Sequence, residues 1–150
     1  MPEIFESLRN NLAISTDPGR LDLDAMTEML SRSYWAAGRS RGTIARTVEH
    51  SLVFGVYAGP RQIGMARVVS DYTTFAYLCD VFVHEDFRGQ GVGKWLVETI
   101  LAYPDLQGLR RWMLATQDAH GLYKQYGFTP LVNVECWMEI FKPASSGRPG

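Results

Sequence analysis

The chain has 150 residues, 46% of them apolar, and a formal net charge of −1 at neutral pH. That length suits one domain with a real core and is cramped for two. The near-neutral balance, without a block of like charges, argues against a broad basic face for nucleic acid and leaves room for a small anion held by a local nest of donors.

No run approaches the ~20 apolar residues of a membrane-spanning helix. The opening MPEIFESLRNN does not read as a secretion signal. A cytoplasmic protein with no membrane partner is expected. Cys79 and Cys136 each lie in an apolar run and fit no metal-ligand spacing, so both are expected to be small buried apolar side chains. His50, His84 and His120 show no clustered ligand spacing, and no metal is expected.

In chain order, Asp17-Pro18-Gly19 marks a turn. Leu23, Met26, Leu30 and Tyr34 then recur at helical spacing. A second helix is expected from Thr43 to about Ser51, after a loop WAAGRSRG. LVFGVYA and QIGMARVVS read as a hairpin turning at Ala58-Gly59-Pro60-Arg61. TFAYLCDVFV follows as a third strand, completing an antiparallel meander. HEDFRGQGVG leads into a helix carrying Val92, Trp95, Leu96, Ile100 and Tyr103, with Pro104 as its stop signal. RRWMLA is the next strand. Strand, helix, strand makes a crossover, so the strands around Val83 and Leu114 should run parallel, with a right-handed connection. AHGLYKQY is a short helix closed by Gly127, and VNVECWMEIF reads as a last strand. The fold class is α+β: a mixed, mostly antiparallel sheet with one parallel crossover, flanked by helices. Residues 1–142 form the domain, and 143–150 a flexible tail rich in Pro, Gly and Ser.

The stretch FRGQGVGKWL (87–96) places Gly89, Gly91 and Gly93 between Arg88 and Lys94, at a strand-to-helix junction. A phosphate loop of the GxxxxGK[ST] type fails at Arg88 and at Trp95. A dinucleotide GxGxxG fails because Lys94 occupies the third glycine position. R-x-x-G-x-G from Arg88 through Gly91 to Gly93 does fit. Glycines admit close backbone approach, and the helix start aims its N–H groups at one spot. A pyrophosphate suits such a loop; a tight turn without ligand is the plain alternative.

VFVHEDFRGQGVGKWL, followed by AHGLYKQYGF, resembles the GNAT N-acetyltransferase superfamily. The resemblance covers about residues 10–141, including the order of the elements. It implies that the backbone amides of Arg88, Gly89, Gln90, Gly91, Val92, Gly93 and Lys94 bind the pyrophosphate of acetyl-CoA as co-substrate. It implies that the pantetheine arm lies beside Val81-Phe82-Val83, where this strand splays from RRWMLA. A backbone N–H near Phe82 or Val83 then points at the thioester oxygen. Tyr123 sits where many members place the general acid for the thiolate. Many members also carry Asn seven residues before that tyrosine, to contact pantetheine; here the position is Thr116.

Asp80 interrupts an apolar strand, and a carboxylate there needs a partner. Two readings stand: it receives or deprotonates the acceptor ammonium, or it is a hydrogen-bonded structural carboxylate. Glu85 and Asp86 read as solvated turn residues. For the acceptor site, position points to the loop bearing Trp35, Arg39 and Arg41, the Tyr72–Phe75 turn and the last strand. The expected function is N-acetyl transfer from acetyl-CoA to a primary amine of a small molecule or peptide, directly within a ternary complex. The alternative is a non-catalytic acyl-CoA-binding sensor or partner domain. By analogy with the superfamily, a homodimer is possible.

Overall fold

The computed structural model describes residues 3–143. The tail expected to be flexible lies, from residue 144 onward, outside the described residues. Six strands form one sheet in the order β1 to β6: β1 (Glu6–Arg9), β2 (Leu12–Ser15), β3 (Leu52–Ala58), β4 (Arg61–Ser70), β5 (Phe75–Val83) and β6 (Arg111–Leu114). All neighbours are antiparallel except β5 and β6, which pair in parallel from Phe75–Arg111 to Leu78–Leu114. The meander and the parallel crossover stand as the sequence reading expected. The N-terminal hairpin β1–β2 was not anticipated. Each of its strands has four residues, and β1 is almost wholly exposed, so no alternation marks it.

Two helices cover one face of the sheet. α1 (Leu23–Ser31) is capped by the Asp22 side chain, which accepts from Ala25 N, and α2 (Arg41–Glu49) by Ser40, which accepts from Thr43 N. Met26, Met29 and Leu30 of α1 and Ile44 of α2 pack on Val53, Met65 and Phe82. α3 (Val92–Leu101) covers the other face, where Val92, Trp95, Leu96, Val97 and Ile100 join the larger core with Phe54, Val56, Ile63 and Leu78. The short helix α4 (His120–Lys124) places Tyr123 against that core, and Gly127 closes the segment with φ +95°. Gly64 is required by close approach: a Cβ there would stand 3.0 Å from Phe82 O and 3.1 Å from Val56 Cγ2.

Two expectations fail. VNVECWMEIF forms no strand: Val134–Cys136 is a 3-10 turn, and residues 137–143 are exposed and off the sheet. Its apolar alternation suits a strand, but by Trp137 the chain has already run past β6, stacking under Arg111 at the first residue of that strand. Of the two cysteines, Cys79 is half-buried in β5 and Cys136 is exposed, because the segment carrying Cys136 does not reach the core.

Candidate active site

Pairing of β5 with β6 ends at Leu78 and Leu114. Beyond those residues the strands part, and a cavity of about 380 Å³ opens between them. Tyr34, Asp80, Val81, Thr116 and Tyr123 are among its lining residues. A β-bulge bends β5 here: Arg67 faces Cys79 and Met65 faces Phe82, leaving Asp80 and Val81 opposite Ala66. Asp80 takes φ +53°, a left-handed conformation that Asp tolerates better than most residues.

The Asp80 carboxylate is 4% exposed and accepts from three donors. Trp35 Nε1 donates to one oxygen at 2.8 Å; Arg39 Nη1 and Arg67 Nε donate to the other at 2.8 and 2.9 Å. Burial pushes its pKa up, but the Arg39 charge, then the hydrogen bond and charge of Arg67 and the Trp35 bond, outweigh it and hold it below the ordinary carboxylate value. Of the residues suggested by position, Trp35 lines the cavity and Arg39 reaches it through Asp80. Arg41 instead pairs with Asp24 on the surface at 2.7 Å. The Tyr72–Phe75 turn sits at the opposite end of β5, folded round Asp71, and the 132–141 segment is not part of the cavity wall.

At the other end of β5, His84 N donates to Ile63 O on β4 at 2.7 Å. Strand alternation therefore turns the backbone of Val83 toward the splay, away from β4. Val83 O accepts from Arg88 Nε at 2.8 Å, and the Arg88 guanidinium lies 5.0 Å from the Phe82 ring centroid. Arg88 thereby pins the start of the glycine loop to the strand. Gly89 and Gly91 have φ +79° and +80°. Gly91 is the N-cap of α3 and supplies no side-chain cap, in contrast to Asp22 and Ser40 on the two earlier helices. The first intrahelical bond runs from Trp95 N to Gly91 O, so the N–H groups of Val92, Gly93 and Lys94 precede the ladder. A Cβ added at Gly89, Gly91 or Gly93 would meet nothing within 4 Å. Gly93 lies inside the helix without positive φ, so neither packing nor backbone geometry demands a glycine there.

Glu85 is not simply solvated. Arg32 holds it through two bonds of 2.8 and 3.0 Å, and that hydrogen bonding lowers its pKa to about 2. An acid beside the glycine loop thus has its charge balanced by an arginine at the C-cap of α1.

Tyr123 is 7% exposed and packs edge-on against Phe128 with ring centroids 5.8 Å apart. Burial, with smaller contributions from Tyr34 and Asp118, pushes its pKa up to about 12. At neutral pH it is a phenol with a proton to give. The Thr116 hydroxyl accepts from Ala119 N at 3.1 Å, so it caps the turn into α4. Among the residues the sequence reading missed, Arg67, Arg32 and Tyr34 matter most. Arg67 carried a signal: QIGMARVVS puts a charge inside one strand and LCDVFV puts the opposite charge inside the next. Tyr34 OH accepts from Gln117 N at 2.7 Å across the cavity mouth, a pairing that nothing local announces.

The sequence profile of the acetyltransferase (GNAT) family matches residues 20–128. A crystal structure of a GNAT-family candidate acetyltransferase from Xanthomonas campestris pv. campestris superposes with a TM-score of 0.86 at 46% identity, covering 91% of this chain and 96% of that one. A candidate acetyltransferase of Gibberella zeae is 31% identical over 138 residues, 77% of each chain. A GNAT family acetyltransferase from Elizabethkingia anophelis, solved with acetyl-CoA bound, shares the fold with a TM-score of 0.64 at 15% identity. The chain belongs to the GNAT family of acetyltransferases.

Proposed function

We propose that the protein transfers an acetyl group from acetyl-CoA to a primary amine of a small molecule or peptide, directly, within a ternary complex. The observation that carries this reading is the start of α3: an uncapped helix N-terminus behind three glycines whose Cβ positions face open space. The first-turn amides of Val92, Gly93 and Lys94, with the positive end of the helix dipole behind them, suit a pyrophosphate. The acetyl-CoA-bound relative gives a precedent on this fold. The pantetheine arm then lies in the splay, within reach of the backbone N–H groups of Val81 and Val83. One of these steadies the thioester oxygen as charge gathers on it.

Tyr123 is the acid in this reading. The neutral amine nitrogen bonds to the acyl carbon, and the carbon–sulfur bond breaks with its electron pair going to sulfur. The Tyr123 hydroxyl gives its proton to that sulfur, and the proton shed by nitrogen returns through water to the phenolate. The raised pKa keeps the donor protonated until it is needed. Asp80, bonded to two guanidinium groups and an indole N–H and held below the ordinary carboxylate value, is a poor base in this reading. Its part is positioning: it fixes Trp35 and Arg39 at the side of the cavity where the acceptor enters. Thr116 shapes the wall through its turn.

The test is calorimetric titration with acetyl-CoA of the parent and of Gly93→Glu. An acid in the first turn favours the helix, so the variant should fold as well as the parent. Its carboxylate should abolish measurable acetyl-CoA binding. A folded Gly93→Glu variant that binds like the parent would overturn the loop assignment. For the chemistry, Tyr123→Phe should keep acetyl-CoA binding and lose roughly 10²–10⁴-fold in the rate of thiol release with an amine acceptor. An unchanged rate would remove the acid role.

A further inference from the structure

The cavity at the splay holds a second carboxylate that the transfer chemistry leaves unused. Asp80, on one wall, is answered by Trp35, Arg39 and Arg67. Asp118 lines the same cavity from the turn between β6 and α4. It is exposed and has no side-chain hydrogen bond or ion pair among the described residues. The turn around it is fixed on both sides. Gln117 N donates to Tyr34 OH at 2.7 Å, and Ala119 N donates to Thr116 Oγ1 at 3.1 Å. The backbone beside Asp118 is thus tied down while its carboxylate is free. Burial, then Tyr34, then the Asp118 charge raise the Tyr123 pKa, so the acid and the carboxylate sense each other.

Aromatic rings complete the surroundings. Tyr34 is 53% exposed, Trp35 39% and Tyr77 37%, and all three line the cavity. Tyr34 and Trp35 stand edge to face, with centroids 5.0 Å apart. Open rings beside an unpaired carboxylate suit a cation. The remaining titratable groups of this cavity offer no second site for one. Burial pushes Cys79 up to about 11 and raises Tyr77, so both are neutral at neutral pH. Asp80 is shared between two guanidinium groups, and that wall carries the excess positive charge.

Chemistry then says which cation. A carboxylate stabilises the protonated form of an amine that it holds. The nitrogen that attacks the acyl carbon must instead be neutral. An ammonium held at Asp118 is therefore not the amine that reacts. We propose that Asp118, with Tyr34, Trp35 and Tyr77, forms a subsite for a second positive charge on the acceptor, so that the preferred acceptor is an aliphatic diamine. This inference rests on the transferase reading and names its acceptor class. Repulsion from Arg39 and Arg67 keeps the cation on the Asp118 side. Tyr123 lines the same cavity of about 380 Å³, so a short chain separates the held ammonium from the reacting nitrogen.

The test compares three acceptors of matched length: pentylamine, the corresponding α,ω-diamine and the corresponding ω-amino acid. Thiol release from acetyl-CoA gives kcat/KM for each. The diamine should exceed pentylamine roughly tenfold, with the amino acid below both. Asp118→Asn should remove the diamine's advantage, and rising salt should shrink it in the parent. Asp118 is exposed, so the variant should fold, which circular dichroism checks. A diamine that gains only the statistical benefit of its two ends would overturn the subsite while transfer stands. So would a preference for the amino acid, or an advantage that survives in folded Asp118→Asn. No thiol release with any of the three, although acetyl-CoA binds, would overturn the transfer reading and this inference with it.

Discussion

Two stretches of β5 and its continuation are built from opposite materials. From Arg88 to Lys94 the chain offers backbone: glycines with open space where side chains would stand, and a helix start left uncapped. At Asp80 it offers side chains packed to saturation, a carboxylate held by Trp35, Arg39 and Arg67 with almost no water contact. The first stretch leaves the N–H groups of Val92, Gly93 and Lys94 ahead of the helical ladder. The second holds a shape, since its charges already answer one another and set where Trp35 and Arg39 stand.

Substitutions can break this contrast. The largest effect on folding should come from Asp80→Asn. Asn keeps the left-handed backbone conformation but leaves two largely buried guanidinium groups without their anion, at a cost of about 3–5 kcal/mol. Thermal melts at neutral pH check it. The pH dependence has a definite sign. The folded pKa of Asp80 is depressed, so its contribution is fully present above the unfolded value of ~3.9 and is lost as pH falls through the folded value. The gap between parent and variant should therefore close in acid; a gap that persists at the lowest pH would mean that the carboxylate charge is not what stabilises this cluster.

Next in size is Gly91→Ala. Its Cβ meets nothing, so only the strain of φ +80° counts, about 1–2 kcal/mol. No loss in the melt would show that this loop relaxes freely and is not preorganised for a ligand. The smallest effect should be Arg32→Ala. Releasing Glu85 should leave the melting midpoint nearly unchanged, because the pair is solvent-exposed. It should weaken acetyl-CoA binding roughly twofold at low salt, through a nearby uncompensated acid. The weakening should fade as salt rises. An affinity independent of both Arg32 and salt would mean that Glu85 does not sense the loop's ligand.

The loop was legible because glycine placement is written in the chain itself. R-x-x-G-x-G at a strand-to-helix junction is a local pattern, and so are the meander, the crossover and the placement of Tyr123 on a short helix. Asp80 could be noticed but not interpreted: its bulge arises from pairing with β4, and all three of its partners come from the loop after α1 and from β4. Hairpin β1–β2 escaped because short, exposed strands leave no alternation to read. VNVECWMEIF misled for the converse reason. Alternating apolar residues announce a strand, but not whether a sheet edge is within its reach.

Composition, periodicity and glycine placement by themselves determined the α+β fold class, the element order from α1 to α4, and a glycine loop at a strand-to-helix junction, since each depends on residues close in the chain. Only the tertiary structure decided where the strands part, that Asp80 is answered by Arg39 and Arg67, that Glu85 is balanced by Arg32, and that WMEIF stands free of its own sheet. Those facts depend on which distant segments pack side by side, and no local pattern records that.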